Sequence, residues 1–227
     1  MGGCEGEVRN CFALCVLNIS QSMKINIYVD GFNLYYGGLR NTPFKWLNLL
    51  RMCQSLFPRD EISKIKYFTA RVTARPEDPD QPIRQQTYFR ALETIPNLEI
   101  IEGRFLTKSV RMPIAHTQPQ QYAQVMKTEE KGSDVNLAVH LLHDAFKKAY
   151  EMAIMVTNDS DLLEPMRIVQ EEFGLSVGLV YPHRHPSFHL STQATFVKHL
   201  RGGVLRTSQF PDALTDANGT FHKPPGW

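Results

Sequence analysis

The sequence predicts an α/β fold, a three-layer sandwich whose mostly parallel central sheet is covered by helices on both faces. The first observation behind this prediction is the alternation of short apolar runs, typical of strands, with longer segments whose apolar residues recur at helical spacing. The second is length, because 227 residues suit one such domain with a sizeable core and leave a second full domain cramped. In sheets of this kind, ligands bind at the carboxyl ends of the strands.

Five segments are predicted as strands of this sheet, and each is short and either apolar or alternating in polarity. The first is a buried strand that ends on a carboxylate, Asp30. The later ones alternate in polarity or are rich in β-branched residues. The predicted strands cover residues 24–30, 62–71, 98–106, 152–157 and 175–181.

The segments between these strands are predicted as helices or loops. The strongest helix covers residues 133–150, with Ser133 as the expected N-cap. Residues 75–82 hold three prolines and are predicted as a loop. Residues 107–126 lack a clean period, which is typical of a functional or disordered loop. The other predicted helices cover residues 44–57, 83–95, 161–173 and 186–200.

The two ends of the chain are predicted to lie outside the folded domain, which covers residues 23–201. Residues 1–22 are expected to be a disordered or non-native extension, and residues 202–227, rich in Gly, Pro and polar side chains, a tail. Three of the four cysteines fall within the first fifteen residues, which favours a reducing, cytoplasmic compartment over a disulfide scaffold. No apolar stretch is long enough to span a bilayer, so no membrane is expected as a partner.

Aspartates fall at strand ends and at a helix start that belong to one edge of the predicted sheet. Asp30 ends the first strand, Asp134 begins the strong helix, and Asp159 and Asp161 follow the fourth strand. Each of them alone is more typical of a helix cap or a turn. Together, crowded carboxylates repel one another and need either a cation or raised pKa values, and oxygen ligands suit Mg²⁺ or Mn²⁺. A water held by such an ion can attack a phosphodiester bond.

Three segments of the chain contain these aspartates: VDGFNL at residues 29–34, KGSDVNLA at residues 131–138 and VTNDSDL at residues 156–162. They resemble the signature segments of NYN domain proteins, a family of the PIN-like nuclease superfamily. The resemblance extends over residues 23–200, and it implies a Rossmann-like (PIN-like) fold and RNA cleavage that depends on a divalent metal ion.

The resemblance also implies roles for individual residues. It places the metal ion on Asp30, Asp134, Asp159 and Asp161, and it adds Asn33 to these catalytic residues as a polar group near the substrate or the metal-bound water. One position departs from the family's pattern, because many relatives have a further Asp where this chain has His140. We expect His140 to be a neutral residue that packs on the sheet; the alternative is that it weakens or retunes the metal site.

Contacts with RNA are expected from local charge, because a formal net charge of +2 does not by itself indicate a nucleic-acid binder. Residues 173–211 contain no Asp or Glu and are expected to contact phosphate. Residues 40–75, with eight basic and two acidic residues, are explained equally well as phosphate contacts and as a solvated surface. Tyr35 is expected to be free for base stacking, while Phe32 and Tyr36 pack in the core. The residues expected to contact RNA are Lys131, Ser160, Arg184 and Tyr35.

The function predicted from these features is that of a Mg²⁺- or Mn²⁺-dependent endoribonuclease, with RNA as its partner. Two alternatives stay open: a non-catalytic module of the same fold that binds RNA or a regulatory partner, and a Mg²⁺-dependent phosphatase. The phosphatase is disfavoured because Phe32, and not an acid, stands two residues after Asp30. The sequence leaves open a homodimer, the preferred RNA sequence and the choice between RNA and DNA.

Overall fold

Six parallel strands form the central sheet in the computed structural model, which describes residues 22–227. The sheet grows outward from its first strand on both sides, so the direction in which strands are added reverses there. This reversal leaves a crevice at the carboxyl ends of the two central strands. In order across the sheet, the strands are β3 (Leu98–Glu102), β2 (Glu61–Thr69), β1 (Lys24–Asp30), β6 (Met152–Val156), β7 (Ser176–Tyr181) and β8 (Phe196–His199).

Helices cover both faces of this sheet, which confirms the predicted three-layer α/β sandwich. The helices are α1 (Gly31–Leu34), α2 (Leu49–Leu56), α3 (Gln81–Leu92), α4 (Ser133–Phe146), α5 (Leu163–Glu171), α6 (Phe188–Gln193) and α7 (Gly202–Thr207). Helix α1 continues directly as a π-helical segment, Tyr35–Leu39, and a 3₁₀ turn, Ser160–Leu162, leads into α5.

Strand β1 shows how its sequence serves both faces. Ile25, Ile27 and Val29 belong to the buried cluster that includes α2 and α3. Tyr28, which points to the opposite face, belongs to the cluster that includes α4 and α5. Because successive side chains of a strand alternate between faces, burial on both sides gives the nearly continuous apolar run seen in the sequence.

Residues 107–126, predicted as a loop, form most of a long antiparallel hairpin, so that prediction was wrong. The hairpin consists of β4 (Arg104–Pro113) and β5 (Tyr122–Lys131), paired along their whole length. Most of its side chains are exposed, so its backbone ladder holds it together and its sequence lacks the period that burial imposes. Gly103 divides the single strand predicted over residues 98–106 between β3 and β4.

The helix predicted over residues 44–57 begins only at Leu49. Asn48 caps it, because the Asn48 side chain accepts a hydrogen bond from the Arg51 N–H at 3.0 Å. The preceding apolar residues, Trp46 and Leu47, are fully buried outside the helix. In the same way, the helix predicted over residues 186–200 is confined to α6, and the segment that follows joins the sheet as β8.

Residues 202–227, expected to form a tail, pack on the domain. They contain α7 and a hairpin of β9 (Ala213–Asp216) and β10 (Gly219–His222). Asp216 forms a two-point ion pair with Arg90 of α3, at 2.6 and 2.7 Å, and the Trp227 ring contacts those of Trp46 and Tyr88. Composition does not reveal such contacts, since Arg90 and Asp216 are 126 residues apart in the sequence.

The described part of the chain begins at Ser22, so the extension predicted over residues 1–22 lies outside it apart from that residue. None of the helices between residues 22 and 227 is long and apolar enough to cross a membrane.

Candidate active site

A groove of about 300 Å³ opens at the carboxyl edge of the sheet, where the strand order reverses. Four carboxylates from three parts of the chain line it, and among the described lining residues Arg75 is the only Lys or Arg. The groove is therefore acidic although the chain as a whole carries a small positive charge. The four are Asp30 at the end of β1, Glu130 in β5, Asp134 in α4 and Asp159 after β6.

Asp30 is the most enclosed of these carboxylates, with 3% of the residue exposed. Its Oδ1 accepts a hydrogen bond from the Asn33 N–H (2.9 Å), and its Oδ2 accepts from Asn33 Nδ2 (2.9 Å) and Thr157 Oγ1 (3.0 Å). Burial raises the pKa of Asp30, while these hydrogen bonds favour the ionised form and oppose the rise. Since a carboxylate offers about four acceptor positions, Asp30 keeps about one for a further ligand.

Asp134 lies in the first turn of α4, where it is exposed to solvent. Its pKa is raised to about 6, first by the water it loses in the groove and then by the carboxylates of Asp30, Asp159, Glu130 and Asp161. A helix N-terminus by itself favours a negative charge. The raised pKa therefore means that desolvation and repulsion outweigh the stabilisation of a negative charge by the helix N-terminus. A cation in the groove would be favoured, because it would relieve the repulsion between the carboxylates.

The start of α4 is fixed by the residues that directly precede it, and the prediction of Ser133 as its N-cap was wrong. The N-cap is Gly132, in the left-handed region at φ 102°, and Ser133 is the first helical residue. Glu130 Oε1 accepts from the Ser133 N–H (3.1 Å), and Glu130 Oε2 accepts from Ser133 Oγ (2.7 Å). A carboxylate from the hairpin thus satisfies the first N–H of the helix and holds Asp134 beside β5.

Asp159 and Asp161 occupy different positions relative to the groove. Asp159 Oδ1 accepts from the Asp161 N–H (3.0 Å) and caps the 3₁₀ turn, while the Asp159 N–H donates to Thr157 Oγ1 (3.1 Å). Asp161 is exposed and does not line the groove, but its negative charge contributes to the raised pKa of Asp134. Of the four expected metal ligands, the structure brings Asp30, Asp134 and Asp159 to one groove and leaves Asp161 beside it.

The chemistry of these donors fits a hard divalent cation, although they do not form a finished site. Among residues 22–227, no three His, Cys, Asp or Glu side chains lie close enough together to hold a metal ion as they stand. The available ligands are carboxylate oxygens, and the raised pKa values of Asp30 and Asp134 mean that their ionisation is opposed in the absence of a cation. Mg²⁺ needs only a few such ligands, because it keeps several waters. The four-aspartate metal site thus stays a prediction.

A hydrogen-bond network behind Asp30 contains residues to which the sequence assigned no catalytic role. Asn33 Oδ1 accepts from the Asn158 N–H (3.1 Å) and lies 3.0 Å from His183 Nε2. Because an amide oxygen only accepts, Nε2 of His183 carries the proton. The sequence did contain a signal for His183, because this residue follows the end of β7 by two positions. The rule that sites lie at strand ends applies there as well as at β1 and β6.

The aromatic residues after Asp30 are arranged differently from the expectation. Tyr36 is 52% exposed and lines the groove, whereas Tyr35 is half-buried against the core. Phe32 is partly buried and meets Phe105 of the hairpin edge to face. The expectation that Tyr35 alone is free was wrong, because the π-helical segment Tyr35–Leu39 has a wider turn than an α-helix and shifts which side chains face outward.

The other residues expected to contact RNA lie outside the groove lining. Lys131, Ser160 and Arg184 are all exposed. Lys131 lies at the end of β5, where its Nζ is 3.2 Å from Glu129 Oε2. Their contact with RNA stays a prediction.

His140 lies on the face of α4 that packs on the sheet, as expected, and not among the residues of the groove. Its ring packs on Phe68 with centroids 5.7 Å apart, and its Nδ1 lies 3.1 Å from Lys66 Nζ. Burial, followed by the Lys66 charge, lowers the pKa of His140 and favours the neutral ring.

Comparison with known proteins agrees with this architecture. The family model of the NYN domain matches residues 24–200. The chain is 30% identical to 6-hydroxy-3-succinoylpyridine 3-monooxygenase HspA of Pseudomonas putida (strain DSM 28022 / S16), over 92% of this chain and 76% of that protein. A solved structure of a protein of unknown function, VPA0982 from Vibrio parahaemolyticus RIMD 2210633, has a TM-score of 0.54 and 17% identity over 80% of this chain and 94% of that one, a likeness of fold alone. Because the family model spans most of the described chain, the protein belongs to the NYN domain family, a PIN-like family that consists generally of nucleases.

Proposed function

We propose that this protein is a divalent-metal-dependent endoribonuclease that hydrolyses phosphodiester bonds in the acidic groove. The observation that carries the proposal is the convergence of Asp30, Asp134 and Asp159, from three separate elements, on one groove at the switch point of the sheet. The pKa of Asp134 is raised first by the water it loses in the groove and then by the neighbouring carboxylates. Carboxylates kept together in this way are typical of a functional site.

In this proposal, Asp30, Asp134 and Asp159 hold the metal ion, with Asp161 adding negative charge from outside the groove. The ion, when bound, supplies a Lewis acid that neutralises phosphate charge and makes a water more acidic. Asn33 and Thr157 fix the Asp30 carboxylate through three hydrogen bonds, and His183 in turn holds the Asn33 amide. Arg75, on the groove wall, is placed to contact a substrate phosphate.

Cleavage of end-labelled single-stranded and structured RNA, with Mg²⁺, Mn²⁺ or EDTA, tests this proposal. We expect cleavage by the wild-type protein only with metal, and a loss of about 100-fold or more in the Asp134→Asn variant. Asp212→Asn is the matched control, because it removes the same charge from an exposed residue outside the groove. Equal cleavage by wild type and Asp134→Asn, or cleavage that persists in EDTA, would overturn the proposal, and RNA binding without turnover in any metal would favour a non-catalytic module.

A second activity is favoured by one further observation, a cavity lined by aromatic side chains beside the groove. The similar protein HspA bears the name of a monooxygenase acting on 6-hydroxy-3-succinoylpyridine, a small heteroaromatic acid. Incubation of the protein with this compound, O₂ and a two-electron donor such as NADH, followed by chromatography of the products, tests that candidate. Turnover of the compound by a protein that leaves RNA intact would replace the first proposal with the second.

A further inference from the structure

The aromatic cavity adjoins the acidic groove and shares part of its wall. It has a volume of about 250 Å³, and Phe32, Tyr36 and Val72 line both spaces. The exposed Tyr36 ring lies between the acidic groove and the aromatic cavity. The two spaces are therefore direct neighbours, one acidic and the other aromatic.

The walls of the cavity present ring faces from three parts of the chain. Tyr67 comes from β2 and Tyr88 from α3, and both are almost completely buried. Trp227 closes the cavity from the last described segment, with its ring centroid 5.6 Å from that of Tyr88. Aromatic walls of this kind stack on flat, unsaturated rings whatever their exact substitution.

Basic groups in the same wall indicate a ligand that carries negative charge as well as a ring. Lys45 and Arg84 line the cavity, and Asp78 accepts a hydrogen bond from Arg84 at 2.6 Å. Arg84 is thus partly neutralised within the wall, whereas Lys45 forms no ion pair with residues 22–227. Lys45 is therefore available to a phosphate.

We propose that this cavity holds one unstacked nucleobase of a single-stranded RNA whose backbone lies in the acidic groove. The inference rests on the proposed ribonuclease function and names its substrate as single-stranded. The space equals the share of liquid volume of roughly eight waters, which suits one base. A base offers ring faces to the exposed Tyr36 and to Trp227, while Lys45 is placed for the adjoining phosphate.

Abasic scanning of a bound RNA tests the nucleobase pocket separately from catalysis. In the Asp134→Asn background, the affinity of a short fluorescein-labelled single-stranded RNA is compared with that of the same RNA carrying one abasic nucleotide at each position in turn. We expect one position to weaken binding roughly tenfold, as the loss of one base–aromatic stack does. The other positions should have smaller effects.

The loss at that position should disappear when the pocket itself is altered. Trp227→Leu and Tyr36→Leu each remove a ring that lines the cavity, and Tyr36 is 52% exposed, so the second variant serves if the first fails to fold. Phe146→Leu is the matched control, because Phe146 is an aromatic residue with 73% exposure outside the cavity. It should leave the abasic pattern unchanged.

The outcomes separate this inference from the function on which it rests. A position-specific loss that depends on Trp227, in a protein that never cleaves RNA, would sink the ribonuclease proposal and leave the pocket standing. Cleavage with equal abasic effects at all positions would overturn the pocket alone. Binding of 6-hydroxy-3-succinoylpyridine that depends on Trp227, with no position-specific abasic effect, would also overturn it and assign the cavity to a small molecule.

Discussion

Helix α4 contributes an aspartate to each of two polar clusters, and the two clusters are built in opposite ways. Near its end, Asp144 is buried, and its Oδ2 accepts hydrogen bonds from Lys66 Nζ (2.6 Å) and Tyr28 OH (2.7 Å). At its start, Asp134 is exposed and faces the carboxylates of the groove. Among residues 22–227, the buried Asp144 is paired with Lys66, whereas Asp134 forms no ion pair.

The difference indicates what each cluster is for. A buried charge must be paired within the chain, because an unpaired one would make folding too costly. An open carboxylate cluster that lowers stability has no such structural explanation, and its charge is available to a partner from solution. The cluster around Lys66 is therefore expected to stabilise the fold, while the groove around Asp134 is the site that we propose for a ligand.

Removal of the buried cation should have the largest effect on stability. Lys66→Met leaves Asp144 buried without its charged partner, and we expect a loss of about 3–5 kcal/mol in the free energy of unfolding. Lys64→Met is the control, because Lys64 lies on the same strand and pairs with Glu99 at 3.2 Å where both side chains are nearly half exposed. It should cost about 1 kcal/mol or less in urea unfolding. Equal losses in the two variants would show that Lys66 is not a structural charge.

Removal of the Asp134 charge from the groove should raise the free energy of unfolding at neutral pH, where removal of the Lys66 charge lowers it. The pKa of Asp134 is raised from 3.8 to about 6, so the folded protein binds this proton more tightly than the unfolded chain does. Stability is therefore lost as the pH rises from about 4 to about 6. Asp134→Asn should be more stable than wild type by about 1 kcal/mol at pH 7.5, after allowance for solvent screening, and similar to it near pH 4.

Urea unfolding at the two pH values measures the Asp134 effect, with Asp212→Asn as the exposed control outside the groove. Mg²⁺ should raise the stability of the wild-type protein at pH 7.5 and have less effect on Asp134→Asn. A variant that is less stable than wild type at pH 7.5 would contradict the repulsion described for the groove.

The smallest effect is expected from the titration of His140. Burial and the Lys66 charge lower the pKa of His140, so the unfolded chain takes up this proton more readily. Stability should therefore be lost as the pH falls below about 6.5, the reverse of the Asp134 dependence. His140→Gln should remove a contribution well under about 1 kcal/mol, because the ring is partly exposed. An unchanged slope of unfolding free energy against pH between 7 and 5.5 would refute this assignment.

The positions of the candidate catalytic groups were predictable to the extent that they follow strand ends. Asp30 and Asp159 are covered by the rule that ligand sites lie at the carboxyl edge of a parallel sheet, and Asp134 by its place at the start of a strong helix. Thr157 was missed because its role lies in a hydrogen bond to Asp30 of another strand, and His183 was missed because the strand-end rule was not applied to β7. The aromatic cavity was missed as well, since its walls come from segments as far apart as Tyr35 and Trp227.

The sequence by itself determined the sheet and the family. Apolar and alternating runs identify five of the six strands of the sheet, and the three segments around Asp30, Asp134 and Asp159 identify the NYN domain. Only the tertiary structure decided which aspartates share the groove, that His183 contacts Asn33, and that residues 202–227 contribute to an aromatic cavity. The physical reason is that periodicity reports burial within one element, whereas these features arise from contacts between residues far apart in the chain.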